Sequence, residues 1–185
     1  MKRAVVSWLL TVAFFLSGCA SGSIHLQGKN PEEVVRLYYE TVNHKQYESL
    51  PYFFSDSFGG SKKADDIRKK LNDIDSMEII RVLGTQIKDD LAHVHASVRV
   101  KDRNTGRYDY NFAQYDLIKQ NGEWRFVSIE SLDEGKQKIL LDLWKQQKQL
   151  VNSDETVREH VRWIEEQRRK SYREAIKQEP VPVSE

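Results

Sequence analysis

The chain has 185 residues and nearly balanced charge, 29 Lys and Arg against 28 Asp and Glu, a net charge of +1. Without a basic excess it lacks the electrostatic footprint of a nucleic-acid-binding protein, so no nucleic-acid partner is expected. Its single cysteine, Cys19, excludes an internal disulfide. A chain of this size buries enough surface to fold without a staple or a metal, and it predicts one domain with extensions.

Lys2 and Arg3 precede an apolar run over residues 4–16, broken only by Ser7 and Thr11. The run is shorter than the roughly 20 residues a helix needs to cross a bilayer, so it predicts a signal peptide over residues 1–18. It leads into Leu16-Ser17-Gly18-Cys19. That tetrapeptide resembles the lipobox of bacterial lipoproteins: a large aliphatic residue, two small ones, then Cys. The resemblance implies cleavage between Gly18 and Cys19, acylation of the Cys19 thiol, and a bilayer partner held through the lipid. Several acyl chains anchor firmly where one does not. Ala20 stands where an Asp retains Gram-negative lipoproteins in the inner membrane, which implies the outer membrane, facing the periplasm.

Residues 20–29 are small, polar and aperiodic. With Cys19 they predict a lipidated flexible tether over residues 19–29, reaching about 20 Å. Asn30-Pro31-Glu32-Glu33 predicts a capped helix start, with Asn30 as N-cap, Pro31 at the first helical position and Glu33 closing a capping box. Val34, Val35, Tyr38 and Val42 continue at helical spacing to about His44. Residues 46–58 predict a short helix and an aromatic loop, and Ala64, Ile67 and Leu71 a third short helix after the Gly59-Gly60-Ser61 break. From Met77 the period changes to two. Strands are predicted over residues 77–88, 91–101, 108–119 and 123–130, with Asn121-Gly122 closing the last hairpin. Helices followed by a meander give an α+β fold with a four-stranded antiparallel sheet. Two helical stretches follow over residues 132–178, the second with a thin stripe broken by Arg168, and residues 179–185 predict a disordered tail.

The capped helix, the aromatic segment and a meander ending Tyr115-Asp116-Leu117-Ile118-Lys119-Gln120-Asn121-Gly122-Glu123-Trp124-Arg125-Phe126 resemble the NTF2-like fold, a curved sheet wrapped on a long helix to form a cone with a pocket. The match covers about residues 30–131. Residues 132–178 depart from it as a C-terminal helical extension. The cone implies a pocket lined by Tyr38, Phe53, Phe54, Tyr110 and Trp124. Enzymes on this fold line the pocket with Asp and Tyr, for which Asp109, Asp116, Tyr38, Tyr39 and Tyr110 are candidates, although none matches a family catalytic position.

His93 and His95 share one strand face and could in principle reach one ion. Ala92, Val94, Ala96, Val98 and Val100 form the apolar face opposite, which predicts that the histidines face water and hold no metal. No pattern for a nucleotide, metal or other cofactor is present, so none is expected. The leading expectation is a non-catalytic envelope lipoprotein that binds a protein partner or a small apolar ligand. The alternatives are a pocket enzyme of the isomerase or hydrolase type, and an accessory subunit that self-associates through the last helix.

Overall fold

Asn30 sets the start of the first helix. Its side chain accepts from the Glu33 amide at 3.0 Å, and the Glu33 carboxylate accepts from the Asn30 amide at 2.7 Å. This reciprocal cap satisfies two amide groups that a helix start leaves without partners. The computed structural model describes residues 24–58 and 60–178, and only the backbone of residues 60–64, 177 and 178. The signal, lipid-attachment and tail readings on residues 1–23 and 179–185 lie outside them. Helix α1 (Pro31–Asn43) buries Val34, Val35, Tyr38, Tyr39 and Val42. Two 3-10 segments follow, Tyr47–Phe53 with Pro51 inside it and Asp56–Phe58, then α2 (Gly60–Leu71). The helix therefore begins inside the predicted glycine break.

The meander comprises β1 (Ile74–Lys88), β2 (Leu91–Asp102), β3 (Tyr108–Gln120) and β4 (Glu123–Phe126), in the spatial order β1-β2-β3-β4 and antiparallel throughout. Three register shifts in the β1–β2 ladder, at 74–76, 79–81 and 82–84, bend the sheet around α1. Asn121 and Gly122 both take positive φ, 51° and 84°, as a tight two-residue hairpin turn requires. β4 is half its predicted length. After Phe126 the chain leaves the sheet for a 3-10 turn at Ile129–Ser131, where the Ser131 hydroxyl donates to the Ser128 carbonyl at 2.7 Å.

Helices α3 (Glu134–Ser153) and α4 (Glu155–Gln178) complete the described chain. Asp133 caps α3 by accepting from the Lys136 amide at 2.9 Å. Asp154, and not Asn152 or Ser153, caps α4 by accepting from the Val157 amide at 3.0 Å. The pair lies on the sheet face opposite α1: α3 packs on β1 and β2, and α4 on β3. Two cores result. The larger joins α1, the aromatic segment and the inner sheet face through Val34, Leu50, Phe53, Val94, Leu117 and Phe126. The smaller joins the outer face to α3 through Leu91, Ile118, Leu140 and Leu143.

Two expectations are corrected here. The tether does not run to residue 29: Leu26 is 1 % exposed in the larger core, and the Lys29 amide donates to its carbonyl at 3.2 Å. Two aliphatic side chains in a polar run, Ile24 and Leu26, are too short a pattern to detect, yet both reach the larger core, and burying Leu26 stabilises by about 1.5–3 kcal/mol. The histidine face is not wet either, because α3 and α4 cover it. His93 is 1 % exposed and Ser97 fully buried.

Candidate functional site

Where α1 meets the β3–β4 end of the sheet, the cone interior is mostly filled. Tyr38 stands edge-on to Phe53, Phe54 and Phe126, with ring centroids 5.5, 6.3 and 5.2 Å away. Trp124 is 6 % exposed within the same core. What stays open is a cavity of about 370 Å³, of the size that takes a small ligand. Its apolar wall comes from Tyr38 of α1, Phe54 and Phe58, Ile67 of α2, Phe126 of β4 and Trp144 of α3. Gln114, Tyr115, Asp116, Ser128 and Glu130 supply its polar side chains.

The polar atoms are held neutral or already engaged. Burial pushes the Tyr38 and Tyr115 phenols far above their ordinary value, with Tyr39 adding to both. The Tyr39 and Tyr115 hydroxyls share a short hydrogen bond behind the wall. Asp116 Oδ1 accepts from His93 Nδ1 at 2.7 Å and from the Trp144 indole N–H at 2.8 Å. Glu130 accepts from the Ser128 hydroxyl, a bond that holds its carboxyl below the ordinary range. Each carboxylate thus has one oxygen already committed to hydrogen bonds within the domain.

The histidines belong to a polar layer between the sheet and the C-terminal helices. His93, fully covered, contacts the Trp144 ring at 5.9 Å as well as Asp116. His160 of α4 meets the Ser97 hydroxyl through Nε2 at 2.7 Å, and that hydroxyl also reaches the Arg81 carbonyl at 3.3 Å. His95 lies beside Phe112 of β3, its ring tilted by 60° with centroids 5.9 Å apart. The contacts of His93 and His160 fasten helices to sheet, and among the described residues no group of three metal-ligating side chains forms.

The sequence-predicted pocket residues divide. Tyr38 and Phe54 line the cavity, Phe53 and Trp124 pack behind it, and Tyr110 lies elsewhere. Tyr110 is corrected by strand parity: even-numbered residues of β3 above Tyr115 point to the outer face, where Tyr110 meets Trp163 of α4 edge-on at 6.1 Å. Asp109 bonds Asn111 at 3.1 Å and takes no part in the cavity. Sequence reasoning missed Tyr115, Phe126 and Trp144 as wall residues. Alternation through Ala113, Tyr115 and Leu117 would have found the first; nothing local announces that Trp144 reaches Asp116.

No protein-family model matches the chain, and no curated protein matches it. Among solved structures, a protein whose name includes NTF2 is 11% identical and covers 51% of this chain and 90% of its own, with a TM-score of 0.47. A SEC-C motif containing protein from Rhodopseudomonas palustris is 20% identical, covering 53% and 75%, TM-score 0.46. An epoxide hydrolase of the LEH-like type from M. tuberculosis is 10% identical, covering 60% and 94%, TM-score 0.40. The fold itself, read from strand order and helix packing, is α+β: a curved four-stranded antiparallel sheet with helices packed on it.

Proposed function

We propose that this chain is an envelope lipoprotein, anchored through acylated Cys19 at the outer membrane and facing the periplasm. Its domain binds a small, uncharged, largely apolar ligand in the cavity beside Tyr38 without transforming it. One observation carries the binding half: the wall is aromatic and aliphatic, while each carboxylate on it already accepts hydrogen bonds from the domain, Asp116 from His93 and Trp144 and Glu130 from Ser128. Such a wall rewards apolar burial and offers neutral phenols for orientation. The lipobox carries the anchoring half.

The ligand test uses N-phenyl-1-naphthylamine, an uncharged probe, with Trp144 emission as a second reporter. Saturable binding is expected, weakened at least tenfold by Ile67→Arg, which puts a charged side chain into the wall. Absence of saturable binding to the wild type would end the binding reading. For the anchor, Cys19→Ser is expected to abolish palmitate labelling and release the chain from the membrane fraction. Unchanged membrane retention would sink that half.

A further inference from the structure

β3 is longer than the strand that covers it. β4 pairs only with residues 117–120 of β3, and the Val127 amide extends the contact to the Asp116 carbonyl at 2.9 Å. Successive carbonyls in a strand point to opposite sides. The Arg107 carbonyl accepts from β2, through the Asp102 amide at 2.9 Å, and the β2–β3 register runs without a shift from Tyr108 to Ile118. The even-numbered residues of β3 therefore turn their backbone groups away from β2. At Tyr108 the carbonyl accepts from the Ser171 hydroxyl of α4 at 2.5 Å. At Tyr110, Phe112 and Gln114 no strand among the described residues takes up the N–H and C=O groups. The opposite edge of the sheet is treated differently: the Asn43 side chain both donates to the Met77 carbonyl, at 2.8 Å, and accepts from its amide, at 2.9 Å.

The open edge is also walled. α4 crosses the outer face from β1, where the Arg81 side chain reaches the Thr156 carbonyl, to β3, and its last turns stand beside the edge. Between them lies a groove of about 630 Å³ whose lining includes Asp109, Asn111, Arg107, Arg168, Arg169 and Tyr172. Its two carboxylates are engaged within the hairpin, Asp102 with Thr105 at 2.7 Å and Asp109 with Asn111 at 3.1 Å. Among the described residues no carboxylate pairs with Arg107, Arg168 or Arg169. Tyr108 and Tyr172, both in its wall, are 40 and 68 % exposed.

We infer that this groove, together with the open edge of β3 that continues beyond it, receives an extended, acidic segment of a partner protein, which adds to β3 as a strand. Backbone groups at Tyr110, Phe112 and Gln114 supply the ladder, as in other edge-strand recognition. The three guanidiniums select carboxylates on alternate residues of the segment, for which their planar forks are suited. Tyr172 takes an apolar side chain between them. A second copy of this chain fits less well. Val127 occupies the edge from Asp116 onward, so a symmetric pair of β3 strands overlaps only around Phe112 and leaves the arginines without carboxylates. The groove shares no lining residue with the cavity beside Tyr38, although the ladder ends at Gln114, which lines that cavity; the arginine variants below therefore read this site separately from the ligand reading.

The test uses the full chain in detergent and a fluorescein-labelled peptide of alternating Glu and Val. Two control peptides separate the causes: one with Lys for Glu, and one with the acidic sequence N-methylated at alternate backbone nitrogens. The acidic peptide is expected to bind at least tenfold tighter than either. The double variant Arg168→Glu, Arg169→Glu, exposed on α4 and remote from both cores, is expected to lose at least tenfold while its circular dichroism is unchanged. Equal binding of the N-methylated peptide reduces the site to charge attraction and overturns strand addition. So does self-association of the chain, seen by sedimentation, without peptide binding.

Discussion

Gln147 sits 1 % exposed on α3, and its amide nitrogen is the one buried side-chain donor among the described residues with no partner. Its oxygen lies 3.5 Å from the Gln86 amide, and the whole group presses on Gly84 of β1, where a Cβ would stand 2.5 Å from the Gln147 oxygen and 2.8 Å from a Leu150 methyl. A glycine inside a strand commonly marks such an approach, and here it lets α3 sit down on the sheet. An unsatisfied buried donor costs about 1–3 kcal/mol. Gln147→Met, of similar length and without the amide, is expected to stabilise the domain by about 1 kcal/mol, read as a higher urea midpoint at unchanged slope. Asp116 presents the reverse case. Asp116→Ala strands the His93 and Trp144 donors in a covered site and is expected to cost about 2–4 kcal/mol, with a red-shift of Trp144 emission as water enters. If Asp116→Ala instead leaves the urea midpoint where it was, the carboxylate does not fasten α3 to the sheet.

α4 shows what an element gains from a polar contact surface. It has few buried anchors, Val157 and Ile164 at 4 and 0 % exposure, and otherwise meets the sheet through His160, Trp163 and Ser171. Burial, and then the Arg81 charge, lower the His160 pKa; burial, and then His93, lower that of His95 on the strand beneath. Both folded values lie below the ordinary 6.5, so the unfolded chain binds the more protons between them. Their contribution is complete above pH 6.5 and is lost as pH falls through the folded values. The thermal midpoint is expected to drop between pH 7.5 and 5, and less steeply in a His95→Gln, His160→Gln double variant. An equal slope in that variant would assign the effect to other groups.

The same element explains which parts of the fold were legible. The α1 cap, the period-two pattern of β2 and the Asn121-Gly122 turn are local signals, and the structure has each of them. The covering of the histidine face is not local. Alternation in β2 separates an apolar from a polar side, but a polar side that is paired group by group with two later helices has the same pattern as one that is solvated. The β4 boundary was missed for a related reason: Val127 and Ile129 start a new apolar alternation, out of step with Trp124 and Phe126, just where the ladder ends with one last bond from the Val127 amide. In the cavity, Tyr38 and Phe54 followed from an amphipathic helix and an aromatic cluster, whereas Trp144 reaches the wall only because α3 returns across the sheet.

At the scale of the molecule, β2 is covered on both faces, by α1 on one side and by α3 and α4 on the other, and the two cores meet through it. Neither helical layer is an appendage, so both should unfold in one transition. Leu26 brings the N-terminal segment into the same unit. Leu26→Ala is expected to cost about 2–5 kcal/mol and to open residues 24–30 to limited proteolysis ahead of global unfolding. A stability unchanged by that substitution would return those residues to the role of a loose linker.

The seating of Leu26 has a mechanical meaning. Tension applied from the N-terminal side enters the domain at a side chain wedged in the larger core, next to the capped start of α1. Such a pull does not peel a helix from its free end; it must draw a plug out of close packing first. In a force spectrum the first event would be a short extension at the release of that plug, before α1 leaves the sheet. A domain built this way resists a pull from its N-terminal side, while the open edge of β3 and the last turns of α4 lie away from the line of that pull.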